Sequence, residues 1–396
     1  MNRPAVPDPE SATRCTPISV LVVAGEASGD LHASNLCREL MSLSRRPVEL
    51  WGSGGERLEA LGARLLASTH QLGAIGPAAA MSQLHRYYKL YRAIVRQAEA
   101  ARPDLTILVD FPDFNLPLAR AFKKRGIGPI AYFISPQLWA WRRWRVRGIA
   151  RDVDKMIVLL PFEVDFYRRY GVRADYFGHP LASRKLPRKD RDAFVSELGV
   201  NSRDVLVAVL PGSRRREIGT ILPAILSGAR RLPADERARL HLVVACAPGM
   251  EPLAREISDH HGTGCRITFE GDSERVLVNC DYALVKSGTS TLEAGLAEIP
   301  FCIVYKTSPW TSTLVRLLVE TEHYGLPNLI LNERVVPELM QGKANPRKIA
   351  EVLSSFVNRD ARWETVRQKL HPLKDRLFGA DPYRNAALAL VELSTN

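Results

Sequence analysis

No stretch of this chain approaches the roughly 18 consecutive apolar residues that a membrane-spanning helix needs, which argues against an integral helical membrane protein. No C-x-x-C pair occurs. The six cysteines (Cys15, Cys37, Cys246, Cys265, Cys280 and Cys302) are scattered, which fits a reducing cytosol and argues against a zinc site or a disulfide framework. There is no Walker A lysine motif, no G-x-S-x-G elbow and no H-E-x-x-H helix, so an ATPase, a serine hydrolase and metal chemistry all lose ground. No low-complexity tract or short repeat appears. Acidic residues are in short supply: 43 Asp and Glu face 55 Lys and Arg, a formal charge of +12. That imbalance favours an anionic partner, whether a phosphorylated substrate, a nucleotide, an acidic membrane surface or a nucleic acid.

What is present suits a two-domain α/β protein. At 396 residues the chain is too long for one ordinary core, and its hydrophobic fraction of 46% is enough for two. The first residues, MNRPAVPDPESATR, are polar and Pro-rich, lack the apolar core of a signal peptide, and read as a disordered lead-in over 1–16. Ile18 to Ala24 is a continuous apolar run, as expected of a buried parallel strand, and it enters Gly25-Glu26-Ala27-Ser28-Gly29-Asp30 before a helix. Val48 to Trp51 suggests a second strand, ending in Gly52-Ser53-Gly54-Gly55. Leu72 to Met81 reads as an apolar loop, exposed or packed. Leu84, Tyr87, Tyr88, Tyr91, Ile94, Val95 and Ala98 then recur at helical spacing and predict a core-facing stripe.

Leu105 to Val109 is the next apolar strand, with Asp110 at its carboxyl end. Ligands of doubly wound folds bind outside those ends, so Asp110 is a carboxylate where chemistry happens, or a cap of the following helix. Pro129 to Ile134 and Met156 to Leu160 are further strands. Between them, Trp139 and Trp141 lead into five arginines from Arg142 to Arg151, a pattern open to single-stranded nucleic acid, a phosphorylated glycolipid or plain solvation. The polar segment Ala182 to Asp192 marks a domain boundary, giving 17–183 and 184–369 with a final segment 370–396.

The alternation restarts in the second half. Val205 to Leu210 ends in Pro211-Gly212-Ser213-Arg214-Arg215-Arg216-Glu217. Arginines at a helix start are unfavourable for the dipole unless an anion sits there. Leu240 to Ala245 and Ile267 to Phe269 are strands. Tyr282 to Val285 is another, breaking at Ser287-Gly288-Thr289 before a helix whose Ser290 and Glu293 match a capping box. That turn is a second candidate phosphate seat. Trp310 to Val319 predicts an amphipathic helix, Gly325 to Asn328 a turn, and the chain from Ala350 is helical with an interruption at Pro382. A strand-end carboxylate in one half and two anion-holding turns in the other are the parts of an inverting transfer from a nucleotide-sugar. A carboxylate deprotonates the acceptor hydroxyl, and N–H groups with an arginine stabilise the departing diphosphate.

AGEASGD (24–30), VDFPDFN (109–115), ISPQLWAWR (134–142), LPFE (160–163), GHPL (178–181), LPGSRRREI (210–218), SGTSTLE (287–293) and LPNLI (326–330) occur in one order. Together they closely resemble the lipid-A-disaccharide synthases, glycosyltransferases of family 19, from about Ile18 to Met340. The resemblance implies a GT-B fold, two Rossmann-like domains facing a central cleft. It implies a metal-independent enzyme without cofactor, joining UDP-2,3-diacylglucosamine to 2,3-diacylglucosamine 1-phosphate as a β-1,6 disaccharide with release of UDP. It places the enzyme at the cytosolic face of the inner membrane, peripheral on an anionic surface, with a homodimer left open and no nucleic acid. Residue by residue it makes Asp110 the general base, Arg214 the diphosphate arginine and Glu26 a cleft residue with a catalytic part. Gly212, Ser213, Ser287, Gly288 and Thr289 approach the nucleotide, Glu293 faces the ribose hydroxyls, Asn328 lines the cleft, and the last helix crosses back to the first domain. Three features depart from the pattern: the small loop Gly73 to Pro77, Gln137-Leu138 where Ser-Val is common, and Lys286 where a neutral residue is common. Competing readings are another GT-B UDP-sugar enzyme (an epimerase or a peptidoglycan glycosyltransferase) and a basic nucleic-acid-binding protein. The VDFPDFN and SPQLWAWR segments argue against the first, and the unused glycine turns and Asp110 against the second.

Overall fold

The apolar runs become buried parallel strands in both halves of the chain. In a computed structural model, β1 (Ile18–Ala24), β2 (Val48–Gly54), β3 (Arg64–Ser68), β4 (Leu105–Val109), β5 (Ile130–Phe133), β6 (Lys155–Val158) and β7 (Ala174–Tyr176) form one sheet. Its order is β3-β2-β1-β4-β5-β6-β7. A second sheet has the order β10-β9-β8-β11-β12-β13. Its strands are β8 (Val205–Leu210), β9 (Leu240–Ala245), β10 (Arg266–Glu270), β11 (Tyr282–Lys286), β12 (Phe301–Tyr305) and β13 (Glu338–Met340). Every described pairing is parallel. The structure describes residues 16–68, 80–201, 203–306 and 323–395. The lead-in through residue 15, the 72–81 segment as far as residue 79, and the 310–319 helix lie outside these residues.

Two compact units result. One runs through Phe177 and takes in the chain from Ala380; the other is Gly178–Gly379. Each is a Rossmann-like α/β layer structure, because strands that are apolar throughout must be covered on both faces. In the first unit, Leu105, Ile107 and Val109 of β4 point to one face and Leu108 to the other, and each face has its own cluster of buried side chains. Ala386, Ala387 and Leu390 of the terminal helix (Pro382–Thr395) close one of those faces and pack by the Ala27–Leu43 helix. No described helix is long and apolar enough to cross a membrane.

Four local expectations change. β2 does not stop at Trp51; it continues through Gly52, Ser53 and Gly54. Gly52 makes this possible, since at φ 139° a β-carbon there would lie 2.0 Å from the Val22 carbonyl oxygen. In the Ala80–Ala101 helix, Leu90, Ile94, Val95 and Ala98 are buried, but Tyr88 is 56% exposed. It lies on the flank of the stripe, with Arg92 over its ring. Gly325 to Asn328 is not a free turn: a helix starts at Leu326 with Pro327 in its first turn. Pro382 likewise starts a helix instead of interrupting one, the position where its missing N–H costs nothing.

Candidate active site

β1 and β4 are neighbours, with Ala24 beside Val109. They straddle the point where strand order reverses, so the loops leaving them diverge and open a crevice. Glu26 and Asp110 are both in those loops. Asp110 and Phe111 are consecutive non-glycine residues at positive φ, 46° and 49°. Such backbone persists only where its surroundings over-determine it. Here the Asp110 carbonyl accepts from the buried Asn115 amide at 2.8 Å and from the Tyr132 hydroxyl at 2.6 Å, while its N–H donates to the Phe133 carbonyl. The Asn115 amide also reaches the Val109 carbonyl at 3.2 Å. Next door, Phe111 stacks on Phe114 and meets Tyr87, and a β-carbon on Gly25 would strike its ring at 2.3 Å. The clamp therefore turns the chain sharply while the helix Pro112–Lys124 starts after Phe111.

The Asp110 side chain does not cap that helix, which has no side-chain cap. Burial, and then the negative charge of Glu26, push its carboxyl up to about 6, with the Phe111 N–H pulling the other way. A carboxylate in this range is a competent proton acceptor near neutral pH. Glu26 is exposed and begins the Ala27–Leu43 helix without capping it; burial raises the Tyr87 hydroxyl, and the Glu26 charge adds to that.

Two buried carboxylates that sequence reasoning missed brace this crevice. Asp30 accepts from the N–H groups of Gly55, Arg57 and Leu58, so it holds the glycine turn after β2. Glu163 accepts from Leu160 N–H and from Trp139 Nε1, both at 3.1 Å, which pins the SPQLWAW segment. Burial raises the Glu163 carboxyl to about 7. Both residues stood inside quoted motifs, but nothing local marks a carboxylate as buried.

In the second unit the reversal of strand order falls between β8 and β11, where Leu210 lies beside Val285. This brings the Gly212-Ser213-Arg214 turn and the Ser287-Gly288-Thr289 turn together. Gly212 at φ 116° and Gly288 at φ 149° give both turns conformations that other residues rarely adopt. Arg214 is exposed at the start of the Arg215–Ala229 helix, 3.8 Å from Glu217. The Ser290–Leu296 helix has only seven residues. The N–H groups of Thr291, Leu292 and Glu293 already donate to the Gly288 and Thr289 carbonyls. An anion at this turn would therefore meet the turn's own N–H groups instead of a long helix dipole.

One expectation needs correction. Ser290 and Glu293 form no capping box: Thr289 occupies the N-cap in helical conformation with no side-chain cap. Glu293 is half-buried instead. Burial raises its carboxyl, Glu274 raises it further, and Arg184, paired to Glu274 at 2.8 Å, lowers it. Asn328 does not line an open space. It is fully buried, with its amide donating to the Val336 carbonyl and to Glu338 and its oxygen accepting from Val336 N–H, at 2.8–2.9 Å. Glu338 also accepts from the N–H groups of Tyr324 and Gly325. The Tyr324 carbonyl in turn accepts from Ser287 Oγ at 3.3 Å. Asn328 is thus a brace two steps behind the Ser287 turn. Among the described residues no group of three or more His, Cys, Asp and Glu is placed to hold a metal ion.

The chain matches the family model described as lipid-A-disaccharide synthetase over residues 20–385. It is 40% identical over 380 residues to a lipid-A-disaccharide synthase of Myxococcus xanthus (strain DK1622), covering 95% of this chain and 98% of the relative. A second relative of that description, from Koribacter versatilis (strain Ellin345), is 36% identical over 371 residues, covering 93% and 96%. Among solved structures, the UDP-GlcNAc 2-epimerase of Neisseria meningitidis bound to UDP-GlcNAc superposes with a TM-score of 0.60 at 11% identity, covering 96% and 100%. MurG of Acinetobacter baumannii gives 0.58 at 11%, covering 95% and 100%. At that identity the structural neighbours speak for the fold, which is of the GT-B type.

Proposed function

This chain belongs to the lipid-A-disaccharide synthetase family and is a glycosyltransferase, and from that premise we propose its substrates, its residues and its setting. The donor is UDP-2,3-diacylglucosamine and the acceptor is 2,3-diacylglucosamine 1-phosphate. Asp110 takes the proton of the acceptor 6-hydroxyl as that oxygen bonds the donor's anomeric carbon from the face opposite UDP. The carbon–oxygen bond to the diphosphate breaks, giving the β-1,6-linked disaccharide 1-phosphate and UDP. The carrying observation is the strained, doubly clamped Asp110, its carboxyl raised to about 6 at the switch point of its sheet. Burial first, and then the charge of Glu26, keep that carboxyl basic. In the second unit, the N–H groups of the two glycine turns and the Arg214 guanidinium meet the diphosphate, replacing a divalent ion. The test is incubation with both lipids in detergent and EDTA. Disaccharide and UDP are expected; no product from a protein that still binds UDP would show that the substrates are misassigned.

A membrane setting is supported by one face of the first unit. Two adjoining grooves of about 590 and 660 Å³ share Tyr91 and Arg125. Arg92, Arg96, Arg120 and Lys124 line them, with Trp144 62% exposed and Tyr88 56% exposed. Arg142 and Arg145 share the single carboxylate of Asp113, and Arg151 is paired to Asp152. Exposed aromatics among cations suit the headgroup region of an anionic bilayer, where each Lys or Arg adds roughly 1 kcal/mol. The protein is expected to co-sediment with phosphatidylglycerol vesicles at low salt and to be released at high salt. The double variant Arg120→Gln, Lys124→Gln should weaken binding by roughly 10-fold or more on that scale. Equal binding to neutral phosphatidylcholine vesicles would sink this assignment.

A further inference from the structure

Glu217 has no part in the reaction as described, yet three kinds of anion-binding group converge on it. Its Oε2 accepts from Ser213 N–H at 3.2 Å. Its Oε1 lies 3.0 Å from Lys286 Nζ and 3.8 Å from an Arg214 guanidinium nitrogen. It lies so close over the Gly212 turn that a β-carbon there would come within 2.4 Å of Oε2. Lys286 ends β11 and is only 21% exposed, with its Nζ 3.5 Å from where a Gly288 β-carbon would stand. The ammonium therefore sits between the two turns assigned to the diphosphate. Its one recorded ionic partner among the described residues is Glu217.

A turn N–H, a lysine and an arginine around one anionic group are the donors that a phosphate oxygen takes. We propose that Glu217 competes for a phosphate seat, and that Lys286 passes from Glu217 to the donor's diphosphate when the nucleotide binds. This rests on the donor reading above. A diphosphate and the Glu217 carboxylate cannot share these donors without like-charge repulsion, so Glu217 must swing away. The nucleotide then displaces a carboxylate instead of filling an open site. When UDP is ready to leave, the returning carboxylate competes for the same groups and favours release. A purely structural pair would predict the opposite response to loss of the Glu217 charge, because Lys286 and the turn would lose their brace.

That difference of sign is the test, read as UDP affinity by calorimetry beside uridine affinity and melting temperature. Glu217→Gln keeps the shape and an oxygen for Ser213 N–H but removes the competing charge. UDP is expected to bind about 5- to 10-fold more tightly and to dissociate more slowly. Lys286→Met should weaken UDP about 10-fold, raise the donor KM with a smaller effect on kcat, and leave uridine binding unchanged. Weaker UDP binding by Glu217→Gln overturns the exchange and leaves Glu217 a brace. Unchanged UDP binding in both variants overturns both roles. A native protein that binds no UDP would instead refute the donor reading, so the two failures are distinguishable.

Discussion

Asp110→Asn is expected to lower kcat by about 10²- to 10⁴-fold, the range over which a positioned base contributes. UDP affinity should stay unchanged, because Asp110 and the glycine turns belong to different sheets. The amide preserves shape and the backbone clamp, since Asn115 and Tyr132 hold the Asp110 carbonyl and not its side chain. The loss is therefore one of proton acceptance and not of folding. The pH dependence follows from the raised carboxyl. Asp110 works only when ionised, so kcat/KM of the native enzyme should fall as pH drops through about 6. Glu26→Gln removes a neighbouring negative charge that holds the value up, so the acid limb should move to lower pH. Full activity in Asp110→Asn would remove Asp110 from the role of base, and an acid limb that Glu26→Gln leaves in place would show that burial, the larger cause, sets its carboxyl without Glu26.

Asn328→Ala should cost stability first and activity second. The amide makes three hydrogen bonds in a fully buried position, and its loss strands Val336 N–H and part of the Glu338 carboxylate. At about 1–3 kcal/mol per stranded buried group, the second unit should lose roughly 2–4 kcal/mol. For a unit of this size that lowers the melting temperature by roughly 5–15 °C. Glu338→Ala should act alike and at least as strongly, because it strands the N–H groups of Tyr324 and Gly325 as well. The route to activity is the Ser287 turn, which leans on the Tyr324 carbonyl. Activity measured well below the melting temperature should therefore recover much of its loss. A large drop in UDP affinity with an unchanged melting temperature would show instead that Asn328 meets the nucleotide.

Much of the architecture was legible in the sequence because its signals are short-ranged. Runs such as Val205 to Leu210 cannot be satisfied except as strands covered on both faces. A glycine or proline at a strand end says where the chain must turn. The end of β2 is not legible in the sequence for the complementary reason: Gly52 looks like a terminator, but a strand can absorb a glycine where a neighbouring carbonyl approaches closely. The Ser290–Glu293 pattern does not form a capping box because the N-cap is Thr289, one residue earlier, which makes Ser290 the first helical residue and Glu293 the fourth.

The composition, the ordered motifs and the candidate base at the end of β4 were determined by the sequence itself, since each depends on residues near one another in the chain. Only the tertiary structure decided that Ala24 lies beside Val109 and Leu210 beside Val285, which makes neighbours of loops some 80 residues apart. It alone buried Asn328 against Val336 and Glu338, buried Asp30, Glu163 and Glu338 among backbone N–H groups, and set Glu217 against Lys286. The physical reason is that burial and charge pairing belong to the packed sheet, whose strand order no local pattern encodes.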